Sequence, residues 1–332
     1  IPESVKNIET GAISNCQNLA TINIAAADLE TVGSRAFSSL SSALNINVTS
    51  EEAKAKIVES GIPEDQVNVR KAEPSDPAGS SFVYEGITYK ILTAAANGAN
   101  GTVQLGDGVN GITALGVVVI PATVKNGENT YDVVSVGASA LKNIEVTELR
   151  LPDSIKTLKD NALYDAQKLT TFEIPAGVES IGVNAIAGCA KLKNITYKEG
   201  SSLKKLGNGA LSDNTVLETI ALPNTLEDLG TYAMFYNYAL REVTFQDGSK
   251  WTTLPDGTFM RDVSLKKVNL PASVSTIGTQ AFWNCGALES IDISGVSEIG
   301  AQAFYNCASL SSVKLSDELT KLESGTFEIC TG

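Results

Sequence analysis

A phrase of six residues recurs along this chain at an almost constant spacing. A chain-long repeat restricts the fold more strongly than any single motif, because it indicates stacked copies of one unit. Each copy reads apolar, Gly, two variable residues, Ala and a large apolar residue, and the clearest copies are 136–141, 181–186, 277–282 and 299–304. The glycine position falls at 137, 159, 182, 207, 230, 255, 278, 300 and 323. Weaker copies carry Lys159, Pro255 or Glu323 there, and two more lie at Glu9 and Gly33.

Each copy continues with a second phrase: Leu, two residues, apolar, one residue, apolar and often Pro. Residues 169–175, 217–223 and 265–271 show it plainly. Its last two apolar positions have the two-residue spacing of a β-strand, and proline then ends the strand. A period of about 23 residues lies in the range of leucine-rich repeats. We therefore predict a β-rich α/β solenoid, a right-handed leucine-rich-repeat coil.

The segments outside the clearest repeats predict caps for such a solenoid. Residues 82–135 combine a turn at Glu85 and Gly86 with short apolar runs ending at 117–120. We expect a β-hairpin N-terminal cap there, followed by about nine repeats in residues 136–332, because a cap covers the open strand edge of the first coil.

Residues 1–70 predict a different piece, the C-terminal part of a solenoid with a helix-containing cap. A capping-box pattern starts a helix near Glu51, Gly61 ends it, and Val67 and Val69 form a last strand. Residues 71–81 have the composition of a linker.

The order of these pieces is unusual, because a C-terminal type of cap precedes an N-terminal one. The sequence also opens and breaks off inside a coil, at Ile1 and Gly332. If Ile1 followed Gly332 after five further residues, the glycine position would recur 23 residues after position 323. We hypothesise that residues 82–332 and 1–70 form one continuous solenoid surface. Three arrangements would allow this: the two segments are the head and tail of adjacent domains, they meet across two molecules, or the order of the sequence conceals a break.

Two stretches carry a family resemblance: LPASVSTIGTQAFWNC at 270–285 and IGAQAFYNC at 299–307. Both resemble the BspA-type leucine-rich repeat, and the opening at 84–89 is similar to the usual start of such domains. The resemblance implies a surface or secreted protein of anaerobic gut or oral bacteria, a group in which some members are adhesins for host matrix proteins or other cells. It implies no catalytic motif.

Composition excludes several functions. The chain of 332 residues has no histidine, which removes Ser-His and Cys-His nucleophile pairs and histidine metal sites. A formal net charge of −13 disfavours nucleic acid and anionic membranes as partners. No apolar run approaches the ~18 residues needed to span a bilayer. We predict no catalytic residue, no cofactor, no metal and no membrane insertion, and any signal peptide is absent or was removed before Ile1.

All cysteines share one column, three residues after the large apolar residue of the first phrase: Cys16, Cys189, Cys285, Cys307 and Cys330. CxxC spacing is absent, so packing of small side chains is favoured over a metal or redox role.

The residue directly after the large apolar position is aromatic at Tyr164, Phe235, Trp283 and Tyr305, with Tyr236 and Tyr238 adjacent. This stripe predicts either an adhesive or glycan-stacking surface, or half-buried turn packing.

The outward positions of the strands are polar and form the second candidate surface. Glu173, Glu242 and Asp292 lie there, and this face either receives a partner or is merely solvated. Glu242 and Asp292 are also the carboxylates that an enzyme acting on polysaccharide would use, although two coils separate them.

We therefore predict a non-catalytic cell-surface or secreted module that binds host or bacterial proteins or glycans. The alternatives are a structural spacer in a larger surface protein, and a carboxylate-based polysaccharide-acting enzyme. The coils cut at Ile1 and Gly332 also suggest end-to-end self-association.

Overall fold

The computed structural model describes residues 1–2, 4–26, 29–69, 76–96, 99–108 and 115–332. The chain divides into two compact units, residues 1–77 with 95–99, and residues 78–94 with 100–332. Residues 71–75 of the predicted linker lie outside the described residues.

The first unit consists of short parallel strands and one helix. Its elements are β1 Asn7–Ile8, β2 Thr21–Ile24, β3 Thr31–Val32, β4 Asn45–Val48, α1 Glu51–Glu59, a 3₁₀ turn Glu64–Gln66 and β5 Val67–Val69. Strand β1 pairs with β3, and the other three form a sheet in the order β2-β4-β5. Alternate residues point inward, so Ile22, Ile24 and Ile46 are buried.

Helix α1 begins and ends where the sequence predicts. The Ser50 side chain accepts a hydrogen bond from the backbone N–H of Ala53, which satisfies one free donor of the first turn. Gly61 follows the helix with φ of 103°, a conformation that glycine adopts without a side-chain clash. Ala53 and Ile57 are the buried residues of the helix.

The second unit opens with longer strands: β6 Ser81–Tyr84, β7 Ile87–Thr93, β8 Gly101–Leu105, β9 Leu115–Val119, β10 Thr123–Asn126, β11 Asn129–Val136 and β12 Glu145–Arg150. Antiparallel pairs join β6 to β7 across Glu85 and Gly86, and β10 to β11. Strand β8 then pairs in parallel with β11, where the repeated coils start.

One expected hairpin strand lies elsewhere. The apolar run at 117–120 was assigned to the hairpins, but Val117 to Val119 belong to β9, which pairs in parallel with β12. Parallel pairing places β9 on the same kind of strand ladder as the repeats. The sequence pattern was misleading because an apolar run shows a strand without showing the direction of its partner.

Each following coil contributes two strands, one to an outward polar ladder and one to a second ladder, and the strands of the polar ladder have four residues except β22, which has two. They are β14 Thr171–Ile174, β16 Asn194–Tyr197, β18 Thr219–Leu222, β20 Glu242–Phe245, β22 Lys267–Val268, β24 Ser290–Ile293 and β26 Ser312–Leu315. The shorter strands are β13 Thr157–Leu158, β15 Ser180–Ile181, β17 Lys205–Leu206, β19 Asp228–Leu229, β21 Thr253–Leu254, β23 Thr276–Ile277 and β25 Glu298–Ile299. Sequence analysis predicted one strand for each coil, and the short strand before the glycine position is a second.

The register of both ladders repeats the sequence period. Thr171 faces Asn194 on the long ladder and Ser180 faces Lys205 on the short one. The large apolar residues of the first phrase stack inside, and the rings of Phe259, Phe282 and Phe304 follow one another at centroid distances of 5.3 and 5.0 Å. Each coil therefore covers the apolar side of its neighbour, as a solenoid requires.

Candidate binding surface

Two columns of left-handed backbone run through the turns between the short and long strands. The first lies two residues after the glycine position, at Ser139, Asn161, Asn184, Gly209, Tyr232, Gly257, Gln280, Gln302 and Gly325. The second lies four residues later, at Asn143, Asp165, Gly188, Asp213, Tyr236, Arg261, Asn284, Asn306 and Ile329. Both columns turn the chain sharply between the ladders. Most members are Gly, Asn or Asp, which adopt positive φ most readily.

Tyr232, Tyr236 and Arg261 are exceptions in these columns. Their φ values are 55°, 64° and 64°. A bulky L residue in this conformation costs about 1 kcal/mol or more. The sequence thus tolerates local strain in two neighbouring coils and places large side chains at the surface there.

These exceptions belong to a continuous row that we call the aromatic ridge. Its members are Tyr232, Phe235, Tyr236, Tyr238, Arg261, Trp283 and Tyr305. Ring centroids are 5.6 Å apart for Tyr232 and Phe235, 3.7 Å for Phe235 and Tyr236, and 5.6 Å for Tyr236 and Tyr238. Tyr232 and Tyr238 are both 41% exposed, and the other members are half-buried.

Arg261 joins the two halves of the aromatic ridge. Its guanidinium carbon lies 5.2 Å from the ring centroid of Tyr236 and 5.2 Å from that of Trp283. Beyond Trp283, the ring of Tyr305 follows at 5.9 Å with an interplanar angle of 7°. Trp283 therefore has a neighbouring group over its ring on two sides, Arg261 and Tyr305.

The sequence predicts five members of the aromatic ridge: Phe235, Trp283 and Tyr305 of the stripe, with Tyr236 and Tyr238 adjacent to it. Arg261 is not among them because it is not aromatic, although it lies in the column where Tyr236 precedes it by one coil. Tyr164, also predicted as part of the stripe, lies apart: the Lys142 ammonium group lies over its ring, with Nζ 5.2 Å from the centroid. Ala187 and Ser212 occupy its column between the two places.

The predicted strand-face carboxylates are all exposed, and they face partners in the next coil. Glu173 lies opposite Thr196 and Glu242 lies opposite Lys267. Asp292 pairs with Lys314 at 3.2 Å. Hydrogen bonds from Ser294, together with that lysine, lower the pKa of Asp292 to about 2. A carboxyl group that donates a proton in catalysis needs a raised pKa instead.

The cysteine column is buried at Cys189, Cys285 and Cys307, and partly buried at Cys330. Each thiol of Cys189, Cys285, Cys307 and Cys330 donates a hydrogen bond to a carbonyl one coil back; Cys285 Sγ, for example, lies 3.1 Å from the oxygen of Phe259. Burial raises the pKa of the thiols of Cys189 and Cys307 to about 12. Cys16 differs from the expected buried packing, because it is exposed and bonds Ser14 in its own turn. Within the described ranges, no three Cys, Asp or Glu side chains are grouped to hold a metal ion.

Asparagine replaces cysteine in two coils of that column and aspartate in a third. Asn237 Oδ1 accepts the backbone N–H of Asn214 at 2.8 Å, and Asp262 Oδ1 accepts that of Asn237 at 2.8 Å. The Asn237 amide also donates to Met234 O at 2.7 Å. Asp262 has no amide to do so, and its Oδ2 is buried without a partner. Burial raises the pKa of Asp262 well above its usual value.

Asp262→Asn is expected to stabilise the protein at pH 7 by about 1–3 kcal/mol, because the new amide can donate to Phe259 O as Asn237 does to Met234 O. The folded state holds a proton on Asp262 that the unfolded state releases above about pH 4. The stability of the unchanged protein therefore falls as pH rises above that value, and the advantage of the variant shrinks toward pH 4. Urea unfolding of both proteins at pH 4 and 7 measures this. An equal difference in unfolding free energy between the two proteins at pH 4 and at pH 7 would contradict a raised pKa of Asp262.

A shallow groove of about 500 Å³ lies away from the aromatic ridge, on the loops between long and short strands. Its lining is polar and comprises Ser201, Ser202, Lys204, Asn224, Thr225, Glu227, Gly248 and Lys250. Neither Glu242 nor Asp292 is part of it. The groove therefore does not bring together the carboxylates that the enzyme hypothesis names.

A family model described as a BspA type leucine rich repeat region matches this sequence in six copies, over residues 1–59, 134–259 and 252–332. These ranges include most of the chain and both units. The chain belongs to the BspA-type leucine-rich repeat family.

Three solved structures are similar to this chain, and the first of them has the same fold. A leucine-rich cell surface protein from Faecalibacterium prausnitzii A2-165 has 20% sequence identity and a TM-score of 0.53, with 76% of this chain and 80% of that chain covered. The Treponema pallidum leucine-rich repeat protein TpLRR has 22% identity and a TM-score of 0.49, with coverage of 70% and 91%. The pneumococcal vaccine antigen PcpA has 19% identity and a TM-score of 0.48, with coverage of 73% and 86%.

No curated protein matches this BspA-type chain. Among the helices in the described part of the chain, none is long and apolar enough to cross a membrane.

Proposed function

We propose that this BspA-type chain is a non-catalytic, protein-binding module of a cell-surface or secreted protein. The observation that carries the proposal is the aromatic ridge. Tyrosine, tryptophan and arginine dominate it, and these residue types supply most of the binding energy at protein interfaces. A surface location is supported by the name of the Faecalibacterium relative, a cell surface protein.

Protein is favoured over glycan as the partner because of ring geometry. A sugar stacks on an open ring face, whereas Trp283 and Tyr305 stack on each other with planes 7° apart and Arg261 lies over Trp283. Ring edges and N–H groups suit contacts with a protein surface better. The strand face with Glu173, Glu242 and Asp292 is a second, more polar candidate contact area.

The experiment compares purified host matrix proteins with a glycan array as partners of the full chain. We expect a matrix protein to bind, and Trp283→Ala or Tyr305→Ala to weaken that binding by at least about tenfold, the size of a typical hot-spot loss. Tyr164→Ala is the matched control, since it removes a tyrosine of the same column outside the aromatic ridge, and it should leave the affinity unchanged.

Three outcomes decide between the alternatives. Binding of glycans alone would contradict the protein proposal, and so would binding that survives both ridge substitutions. Binding to neither class would favour the structural spacer. The polysaccharide-acting enzyme has the least support, because the carboxyl group with a raised pKa, Asp262, is buried and Asp292 is shifted the other way.

We also propose how the chain is divided. Helix α1 acts as a C-terminal cap for residues 1–70, and the β6–β7 hairpin opens an N-terminal cap over residues 82–135. Residues 71–81 link these two segments, and the coils of residues 136–332 wind in the right-handed sense. The pairing of β5 with β4 next to the helix supports the first cap.

A further inference from the structure

We infer that Arg261 is a carboxylate-binding site, and that the partner of the aromatic ridge presents an acidic peptide segment to it. The inference rests on the proposed protein-binding function and names the chemistry of the partner. Three properties of Arg261 carry it: its position between two rings, its charge without an ion pair together with its orphaned Nε, and its strained backbone.

The position of Arg261 fixes the direction of its donors. With Tyr236 on one side and Trp283 on the other, both at 5.2 Å, the guanidinium plane is held by the two rings. Cation–π contacts of this kind contribute about 0.5–1 kcal/mol each at exposed sites. The plane is thus oriented before any ligand arrives, and its terminal N–H groups form the planar fork that matches both oxygens of a carboxylate.

The charge of Arg261 is not neutralised within the described part of the chain. Eight other basic side chains there form ion pairs, such as Lys198 with Asp153 and Lys205 with Asp228, but Arg261 forms none. Its Nε is buried without a hydrogen-bond acceptor.

The backbone of Arg261 gives an independent indication. Its φ of 64° lies in a column that six of the nine coils fill with asparagine, aspartate or glycine, and that two others fill with Tyr236 and Ile329. Asparagine at this position would remove both the strain and the orphaned Nε. Costs of this kind concentrate at functional positions. A guanidinium retained at such a cost indicates a role outside the fold.

A peptide carboxylate fits better than an acidic sugar. The facing sides of Trp283 and Tyr305 cover each other and Arg261 lies over the Trp283 ring, whereas Tyr232 and Tyr238 are exposed and can contact a polypeptide. Acidic sugars carry the same carboxylate, so the experiment includes one.

The test uses the full chain at about 0.1 M salt, where the long-range repulsion between an acidic peptide and a chain of formal net charge −13 is largely screened while close charge pairs are screened less. Isothermal titration compares a hexaglutamate peptide with a hexaglutamine peptide and with an oligogalacturonate of six units. We expect hexaglutamate to bind at least tenfold more tightly than either. Arg261→Gln should weaken hexaglutamate binding at least tenfold and Arg261→Lys at least threefold, because lysine keeps the charge but loses the planar fork.

Arg241→Gln is the matched control, since it removes one exposed positive charge outside the aromatic ridge and should change the affinity less than twofold. Equal binding of hexaglutamine, tighter binding of oligogalacturonate, or unchanged hexaglutamate binding by Arg261→Gln would overturn the inference. If the Trp283 and Tyr305 substitutions abolish binding of a matrix protein that Arg261→Gln still binds, the proposed function stands and the carboxylate site fails. If Arg261→Gln abolishes hexaglutamate binding while no matrix protein binds the unchanged chain, the carboxylate site stands and the proposed protein-binding function fails.

Discussion

Gly230→Ala is expected to lower the free energy of unfolding by about 2–3 kcal/mol, and Gly230→Val by more. A Cβ atom at Gly230 would lie 2.4 Å from the carbonyl carbon of Gly207 and 2.5 Å from the backbone nitrogen of Asn208. Gly207 in turn would place a Cβ 2.7 Å from Gly182. These contacts involve backbone atoms of the preceding coil, which a rotamer change cannot move aside. Chemical denaturation of the full chain, followed by circular dichroism, measures the loss.

The effect is steric, because Gly230 does not have a positive φ and alanine can adopt its backbone conformation. Gly286→Ala is the matched control: no heavy atom lies within 4 Å of its Cβ position, so the change should stay within about 0.5 kcal/mol. Equal effects at Gly230 and Gly286 would show that backbone entropy and not coil spacing decides the outcome.

The glycine column illustrates what the sequence predicts and what it does not. Its period gives the number and register of the coils, since the same residue type recurs wherever two backbones approach closely. The distance of that approach is a property of three-dimensional stacking. Lys159, Pro255 and Glu323 show that coils with a side chain at this position also exist, and sequence alone does not tell which spacing each coil needs.

The candidate surface was partly predictable for a related reason. The aromatic stripe is visible because ring-bearing residues recur in one column of the repeat. Arg261 escaped notice because its role depends on two rings from neighbouring coils, a contact between positions that are 25 and 22 residues away in sequence. The second strand of each coil escaped notice because two residues are too few to show an alternating pattern.

Deleting residues 208–230 is expected to leave a folded protein that is shorter by one coil. The deletion joins Gly207 to Thr231 and removes 23 residues, which is one full period. Each residue after the junction therefore keeps its position within the repeat. The backbone N–H of Cys189, which donates to Asn214 Oδ1 at 2.9 Å, would then find Asn237 in the same place. Nearest-neighbour stacking makes such an exchange of equivalent interfaces tolerable.

Deletion of residues 208–218 is the contrasting variant. It removes about half a coil and places inward residues of one coil against turns of the next, so the buried apolar face of the following coils loses its cover. Its cost should exceed about 5 kcal/mol, comparable to the whole stability of an ordinary domain.

Thermal unfolding of these two deletion variants therefore tests most directly whether the chain is a stack of interchangeable coils. If the coils are interchangeable, the protein without residues 208–230 unfolds in a cooperative transition and keeps its ellipticity per residue. The protein without residues 208–218 shows no cooperative transition and a reduced ellipticity per residue. A full-coil deletion that unfolds as completely as the half-coil deletion would contradict this interchangeability.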